Sequence, residues 1–596
     1  MMRASRHDGT HPRPTLMRED WASLDGPWGF AHDDANQGRA QRWYAPDHEG
    51  PFERTITVPF VPESEASGIH DTGFHPVVWY RRTLTATAQP GRRTLLHLGA
   101  VDHEARVWVN GHLAGHHVGG QAAFTCDITD LLGERSEHVV VVRAFDDPQD
   151  IELPRGKQDW REQPHGIWYH RSTGIWRSVW LETVPEQHVT GFHWDVDMPR
   201  ARVEVSLRLA HRPAPGTTVR VGLMAGEEAL GSVDIAAHDT RVEGIIDVPA
   251  VRNTQDRGRL LWRPEHPTLI DVTLQVLEGG EVADEAASYL GLRTTGIDRG
   301  NFLLSGEPYF VRSVLEQGYW PTSQLTAPTL EAYREEVELI KELGFTAARI
   351  HQKVEDPRFL FWADKLGLLI WAETANAYAY SPRAAAALTA EWTEIVEQCR
   401  PHPSVVTWVP MNESWGVRDL ADSAPQRNLT IALTALTRAL DPSRPVVSND
   451  GYELTGGDII ALHDYTTDAS VLQRRYADQD AVADVIAGRG PLGRRPLDDA
   501  AQHINEGAPV MVTEFGGIAY AAEDTWGYAT VSSPEEYQDK VGGLFAALNS
   551  SAVLTGHCYT QLTDTLQEAN GLAIADRKPK LDPEVIRALV TGRADG

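Results

Sequence analysis

Beyond Gly300 the chain alternates short apolar runs with longer stretches of helical periodicity, and this alternation restricts the fold more than any other feature. The apolar runs are 309–314 (YFVRSV), 345–351 (FTAARIH), 368–373, 405–410, 445–449, 458–465, 509–515 and 553–559. Helical patterns lie between them, as at 330–344 and 385–399. Eight such strands in about 300 residues match the size and period of a closed (β/α)8 TIM barrel. An open doubly wound sheet is the alternative. It lacks support because no glycine-rich phosphate loop follows the first strand.

The preceding half reads as all-β. Alternating segments at 93–101, 105–111 and 138–145 are separated by Gly, Pro and Asp turns, and Asn110-Gly111 signals a tight hairpin. Many strands with no clear helix predict a jelly-roll β-sandwich over residues 1–185. The pattern continues at 202–210, 218–225 and 270–278, which predicts a smaller immunoglobulin-like β-sandwich over residues 186–295. One larger β domain is the other reading. The barrel then takes residues 296–596.

Composition narrows the partners. The chain carries 55 basic against 84 acidic side chains, a formal charge of −29, which repels phosphate backbones and anionic lipids. Nucleic acid and membrane are therefore not expected partners. Cys126, Cys399 and Cys558 are odd in number, far apart and without metal-ligand spacing, so neither a disulfide framework nor a metal site is expected. The first twenty residues lack the apolar stretch of a secretion signal, and no run of eighteen apolar residues occurs. These features together read as a soluble cytoplasmic protein.

In a TIM barrel the chemistry sits at the C-terminal ends of the strands. Those ends carry Arg349 and His351, Glu373, Asn412 and Glu413, His463 and Tyr465, Glu514, and Tyr559. Glu413 and Glu514 follow apolar runs four and seven, which face each other across the barrel mouth. Glycoside hydrolysis needs such a pair: one carboxyl protonates the leaving oxygen while the other, ionised, attacks the anomeric carbon. A single glutamate at a strand end is more often a solvated rim charge. Here Asn412 precedes Glu413 in an apolar setting, and two glycines follow Glu514-Phe515 and allow close backbone approach.

The segments WVPMNESWG (408–416) and VMVTEFGG (510–517) resemble the acid/base and nucleophile motifs of glycoside hydrolase family 2. LDGPWGF (24–30), VWYRRTL (78–84), VDHEARVWVNGHLAGHHVGG (101–120), TGIWRSVWLE (173–182) and VEDPRFLFWADKLGLLIWAE (354–373) are similar to it as well. The resemblance implies a retaining exo-glycosidase with Glu413 as acid/base and Glu514 as nucleophile. It implies that Asn412 binds the sugar 2-hydroxyl, that Tyr465 hydrogen-bonds the nucleophile, and that Arg349 lies beside it. It calls for no metal or organic cofactor, and it allows a homo-oligomer, since family members are often dimers or tetramers.

Three departures bear on the sugar. The family's Ser-His-Tyr-Pro stretch is RIHQKVEDP here, so His351 stands in a shifted context as a sugar ligand. The strand-eight tryptophan that floors the sugar site is matched by Tyr559. The Asn-x-Lys motif of glucuronidases is matched by Asn570-Gly571-Leu572, whose missing lysine disfavours a β-glucuronidase. Trp320, with Gln317 and Tyr319, is expected at the pocket mouth; Gln561 and Asp564 are candidate partners of sugar hydroxyls, alongside His463 and Glu373. The loop 154–160 (PRGKQDW) is expected to reach the barrel from the first domain. The expected substrate is a β-D-galactoside. The alternatives are a furanoside, β-D-galactofuranoside or α-L-arabinofuranoside, and a non-catalytic carbohydrate-binding protein.

Overall fold

A computed structural model describes residues 2–48, 50–498, 501, 503–504, 507–520 and 525–592. Strand alternation builds the first β region. A six-stranded antiparallel sheet, with Val77–Thr85 and Glu137–Phe145 at its centre, faces a four-stranded sheet containing Arg92–Leu98 and Val179–Pro185. Trp28, Phe30, Val78, Tyr80, Leu96, Leu98, Val140 and Val142 fill the space between them. Asn110 and Gly111 both have positive φ (51° and 83°) in the two-residue turn joining Glu104–Val109 to His112–Val118, as the hairpin signal requires.

A second sandwich pairs a three-stranded sheet (Val189–Asp197, Arg202–Leu209, Arg241–Asp247) with a four-stranded one built around Thr218–Ala225 and Ile270–Glu278. Every second residue of Arg202–Leu209 is buried, which is the pattern of a strand with one solvated face. The chain start does not stay with the first sandwich: Leu16 joins the second core, while Ala4 and Met17 pack into the barrel's outer layer.

Seven further strands form one parallel sheet in the order Val405–Val409, Leu369–Glu373, Ala347–Ile350, Val311–Glu316, Leu554–Thr560, Val510–Gly516, Ile460–Asp464. Most are buried along their whole length, since side chains fill the barrel inside and helices cover it outside. The covering helices start where the sequence supplies a cap. Ser381 accepts from the Ala384 amide ahead of Pro382, and Ser533 accepts from the Glu536 amide ahead of Pro534. The cap at Ser381 starts Pro382–Cys399 three residues earlier than its periodicity predicts.

One expected strand is not regular. Residues 445–449 lie beside Val405–Val409 by a single bridge, where Val447 N donates to Trp408 O (2.9 Å), and on the other side the chain just beyond them meets Ile460–Asp464 where His463 N donates to Gly451 O (3.3 Å). Pro445 has no N–H to give. The Ser448 hydroxyl bonds Gly456 O (2.8 Å) and the Asn449 amide bonds Tyr452 O (2.8 Å), so local side-chain bonds replace the ladder. Cys126, Cys399 and Cys558 are buried free thiols. No described helix is long and apolar enough to cross a membrane.

The first sandwich reaches the barrel mouth through the loop after Leu153. Arg155 N and Gly156 N both donate to Asn376 O (3.2 and 3.0 Å), and Gly156 has φ +59°. A side chain there would place its Cβ 2.2 Å from Gln352 O. Gly156→Ala is expected to lift this loop, costing about 1–3 kcal/mol, seen as a lower melting temperature and faster tryptic cleavage at Arg155. Unchanged melting and cleavage would show that the contact does not hold the loop.

Candidate active site

The barrel's open end is organised by one buried guanidinium. Arg349, on the second strand, is 1% exposed and spends every donor on its neighbours. Nε and Nη2 bond Glu373 Oε2 (3.0 and 2.8 Å), Nη2 bonds Asn412 Oδ1 (2.6 Å) and Nη1 bonds Glu514 Oε1 (2.8 Å). Asp450 Oδ2 lies 3.4 Å from Nε. Side chains from four separate strand ends are thereby fixed to one planar cation, whose fork suits carboxylates.

Glu514 is placed by a bulge. The pairing of Val510–Gly516 slips on both sides near residues 512–515, which lets Thr513 and Glu514 both reach the interior network. Gly516 follows at φ +92°, where a Cβ would lie 2.3 Å from the Tyr559 ring. The second oxygen of Glu514 accepts the Tyr465 hydroxyl, and Tyr465 stacks on Tyr528 at 3.6 Å and 10°.

Glu413 comes from the opposite side, beyond Pro410. It and Ser414 both adopt left-handed φ, 50° and 54°. Such backbone costs on the order of 1–3 kcal/mol per residue and persists only where neighbours dictate it. Here Glu413 N donates to Asp450 O (2.9 Å), Ser414 N to Asn449 Oδ1 (2.9 Å), and the Tyr452 hydroxyl to Glu413 O (3.0 Å). The irregular fifth segment thus turns Glu413 toward the pocket.

His463 joins the two carboxylates. Its Nδ1 is 2.8 Å from Glu413 Oε1, and its Nε2 is 3.0 Å from Asp450 Oδ1 and 3.4 Å from Glu514 Oε1. One ligand atom each of Glu413, His463 and Glu514 lie within 4.8 Å of one another. Burial alone would push the imidazole down, but Glu514, Asp450 and Glu413 outweigh it and raise its pKa to about 10. Burial likewise raises the Glu413 carboxyl, yet the His463 hydrogen bond and the charges of His463, Lys157 and Arg349 bring it below its ordinary value. Asp450 is lowered as well: Arg349 and His463 overcome its burial.

Several expected ligands are placed otherwise. Tyr559 points outward: strand alternation turns it into the layer beneath helix Pro534–Asn549, edge-on to Phe515 (5.4 Å) and against Phe545 (5.3 Å). Trp320 lies under Arg577, 3.4 Å from the guanidinium to the ring centre, in the packing outside the barrel. Glu373 and His463 are sealed and act on other side chains: Glu373 takes Arg349 and the Gln352 amides, and His463 takes three carboxylates. Asp564 is held by Lys580 (2.7 Å), Gln317 and Gln561 bond each other (2.6 Å), and Tyr319 packs against Tyr169. Leu572 is core.

Asn412 keeps its Nδ2 unpartnered beside the pair, and His351, 3.3 Å from Glu373, meets Trp415 edge-on at 6.4 Å. Asp450, Tyr528, Trp415 and Tyr169 were not singled out from the sequence. Asp450 directly follows the run 445–449 and was legible as a strand end; the aromatics were not, because loops bring them in. Trp160 and Trp168 of the first sandwich meet Tyr378 and Trp415 of the barrel at 4.9–6.2 Å, forming an aromatic wall suited to sugar C–H faces.

Comparison with known proteins agrees with this architecture. Residues 21–185 match the sugar binding domain of glycosyl hydrolases family 2, and residues 325–539 match that family's TIM barrel domain. A putative β-glucuronidase of Formosa agariphila is 28% identical over 400 residues, covering 63% of this chain and 45% of that protein. A β-galactosidase of Thermoanaerobacter pseudethanolicus is 24% identical over 385 residues, covering 62% and 48%. The chain thus spans about half the length of these two relatives. The solved β-glucuronidase of Ruminococcus gnavus in complex with D-glucuronic acid superimposes with TM-score 0.76 at 18% identity, covering 99% of this chain and all of that one, and it shows the shared fold.

Because the His463 pKa is raised on folding, its charge stabilises the protein fully below the unfolded value of about 6.5. That contribution is lost as pH rises through about 10. Melting temperatures measured from pH 7 to 10 should fall more steeply for the natural protein than for His463→Gln. Parallel curves would contradict the charged imidazole.

Proposed function

As the chain belongs to glycosyl hydrolase family 2, and is accordingly a glycoside hydrolase, we propose that it works by double displacement with retention, using Glu514 as nucleophile and Glu413 as acid and then base. The observation that carries this reading is the approach of the two glutamates within 4.8 Å, on the retaining side of the divide between about 5–5.5 and 6.5–9.5 Å. Arg349 and Tyr465 donate to the two oxygens of Glu514, one to each, which fixes the carboxylate for attack. In the first step Glu514 bonds the anomeric carbon while Glu413 gives its proton to the departing oxygen. In the second, water attacks that carbon, Glu413 takes the water's proton, and Glu514 leaves. His463 shares a 2.8 Å contact with Glu413, so the acid's proton belongs to a coupled pair.

The unpartnered Asn412 Nδ2 is positioned to donate to a sugar hydroxyl beside Glu514. We assign residues 1–185 and 186–295 to two sandwiches that flank the catalytic barrel at 296–596. The first sandwich closes one side of the pocket, which favours removal of a single terminal unit. Relatives named for glucuronides and for galactosides share a β-linked hexopyranosyl unit, and that is the substrate class proposed; the β-galactoside expected from the sequence is its neutral member. The loss of a lysine at 572 removes one way of holding a sugar carboxylate and leaves others open. The furanoside alternative rests on His351 and Tyr559; His351 lies beside Glu373 and Trp415, whereas Tyr559 faces away from the pocket.

Aryl β-galactopyranoside, β-glucuronide, β-mannoside, β-galactofuranoside and α-L-arabinofuranoside form the test panel. Glu514→Ala should abolish turnover of whichever is cleaved. Glu413→Ala should lose about 10²–10⁴-fold on poor leaving groups and much less on 2,4-dinitrophenyl ones. Azide should then yield a glycosyl azide of retained configuration. Intact turnover in Glu514→Ala would overturn the assignment. Since His463 lowers the Glu413 carboxyl, His463→Asn should move the alkaline limb of the pH–rate profile upward; a downward shift would contradict the pairing.

A further inference from the structure

One cation at the pocket has neither a hydrogen-bond nor an ion-pair partner among the described residues. Lys157 lies in the first-sandwich loop that Gly156 seats on the barrel, and only 6% of it is exposed. Its ammonium sits 5.7 Å from the centre of the Trp415 ring and 5.7 Å from that of Tyr169. Among the described residues it donates no hydrogen bond and has no carboxylate within ion-pair distance. Lysines buried elsewhere are treated differently. Lys353 bonds Gly318 O (2.9 Å), Leu325 O (3.0 Å) and Glu355, and Lys580 bonds Asp564 (2.7 Å). The carboxylate beside Tyr169, Glu568, is already occupied by the Tyr169 hydroxyl (2.5 Å) and the Asn570 amide (3.2 Å).

A buried charge without a counter-ion is expensive unless an anion arrives to meet it. Trp415 stands two residues beyond Glu413 and touches His351, so the ammonium and the proposed acid share one wall of the pocket. Its charge reaches both groups: it helps hold the His351 imidazole and the Glu413 carboxyl down. Two aromatic faces hold the ammonium in place without neutralising it.

We propose that Lys157 is a specificity-determining residue whose ammonium receives a carboxylate carried on the terminal sugar, so that the preferred substrate is a β-linked uronide. This rests on the glycosidase reading above. A neutral sugar would close the pocket over an unpaired cation, whereas a uronide would replace its lost water with a charge-assisted bond.

The test uses 4-nitrophenyl β-D-glucuronide and β-D-galacturonide against the matching glucoside and galactoside. The natural enzyme should favour one uronide over its neutral counterpart by about 10²-fold or more in kcat/KM. Lys157→Met should collapse that ratio to within about tenfold, chiefly through the KM of the uronide, and Lys157→Arg should restore part of it. A natural enzyme that prefers the neutral sugar, or a Lys157→Met that weakens both equally, would overturn the proposal. Failure of the glycosidase reading looks different, because Glu514→Ala would then keep whatever turnover exists. If none of the four is turned over, thermal shifts with free D-glucuronate and D-galacturonate against D-glucose and D-galactose decide. A shift specific to a uronate that is absent in Lys157→Met supports the proposal, and no such shift overturns it.

Discussion

Arg349 is the interaction on which the rest of the site depends. A guanidinium removed from water must be met by acceptors on all sides, and Glu373, Asn412, Asp450 and Glu514 supply them from different strands. The barrel's closure brings those strand ends together, and the arginine converts that closure into fixed angles between side chains. The proposed nucleophile is therefore not free to find its own rotamer. Its charge, its neighbours' charges and the position of Asn412 belong to one electrostatic unit.

Opposite that unit, the fold accepts irregularity. The fifth segment gives up a regular ladder, and two consecutive non-glycine residues take left-handed backbone to carry Glu413. Local strain at a site over-determined by its surroundings is the arrangement expected where geometry serves chemistry. His463 completes it by holding Glu413 and Asp450 on its two ring nitrogens, so the charge of the imidazole bears on both carboxylates.

The barrel does not form its pocket by itself. Loops of the first sandwich bring Trp160, Lys157, Trp168 and Tyr169 to the rim, where Tyr378, Trp415 and Glu568 of the barrel meet them. The contact requires Gly156 because a backbone carbonyl stands where a Cβ would be. The barrel carries the proposed reacting pair, while the sandwich supplies a wall and a cation. Different parts of the chain are thus free to govern reaction and selection.

The alternation of apolar and helical segments determined the barrel, because a parallel strand buried on both faces must be continuously apolar and its connections must be helical. The ends of those runs also placed Glu413, Glu514, Asn412, Arg349 and Tyr465 at the mouth, since position along a barrel strand is a property of sequence alone. Direction across the strand is not. Tyr559 and Glu514 both lie at strand ends, yet a bulge turns one inward and alternation turns the other out. Which polar residues meet substrate and which only hold their neighbours, as Glu373 and His463 do, depends on where partners from other strands arrive. The role proposed for Lys157 was beyond the reach of sequence for the same reason: which groups stand beside a cation is decided by residues distant in sequence that the fold brings to it.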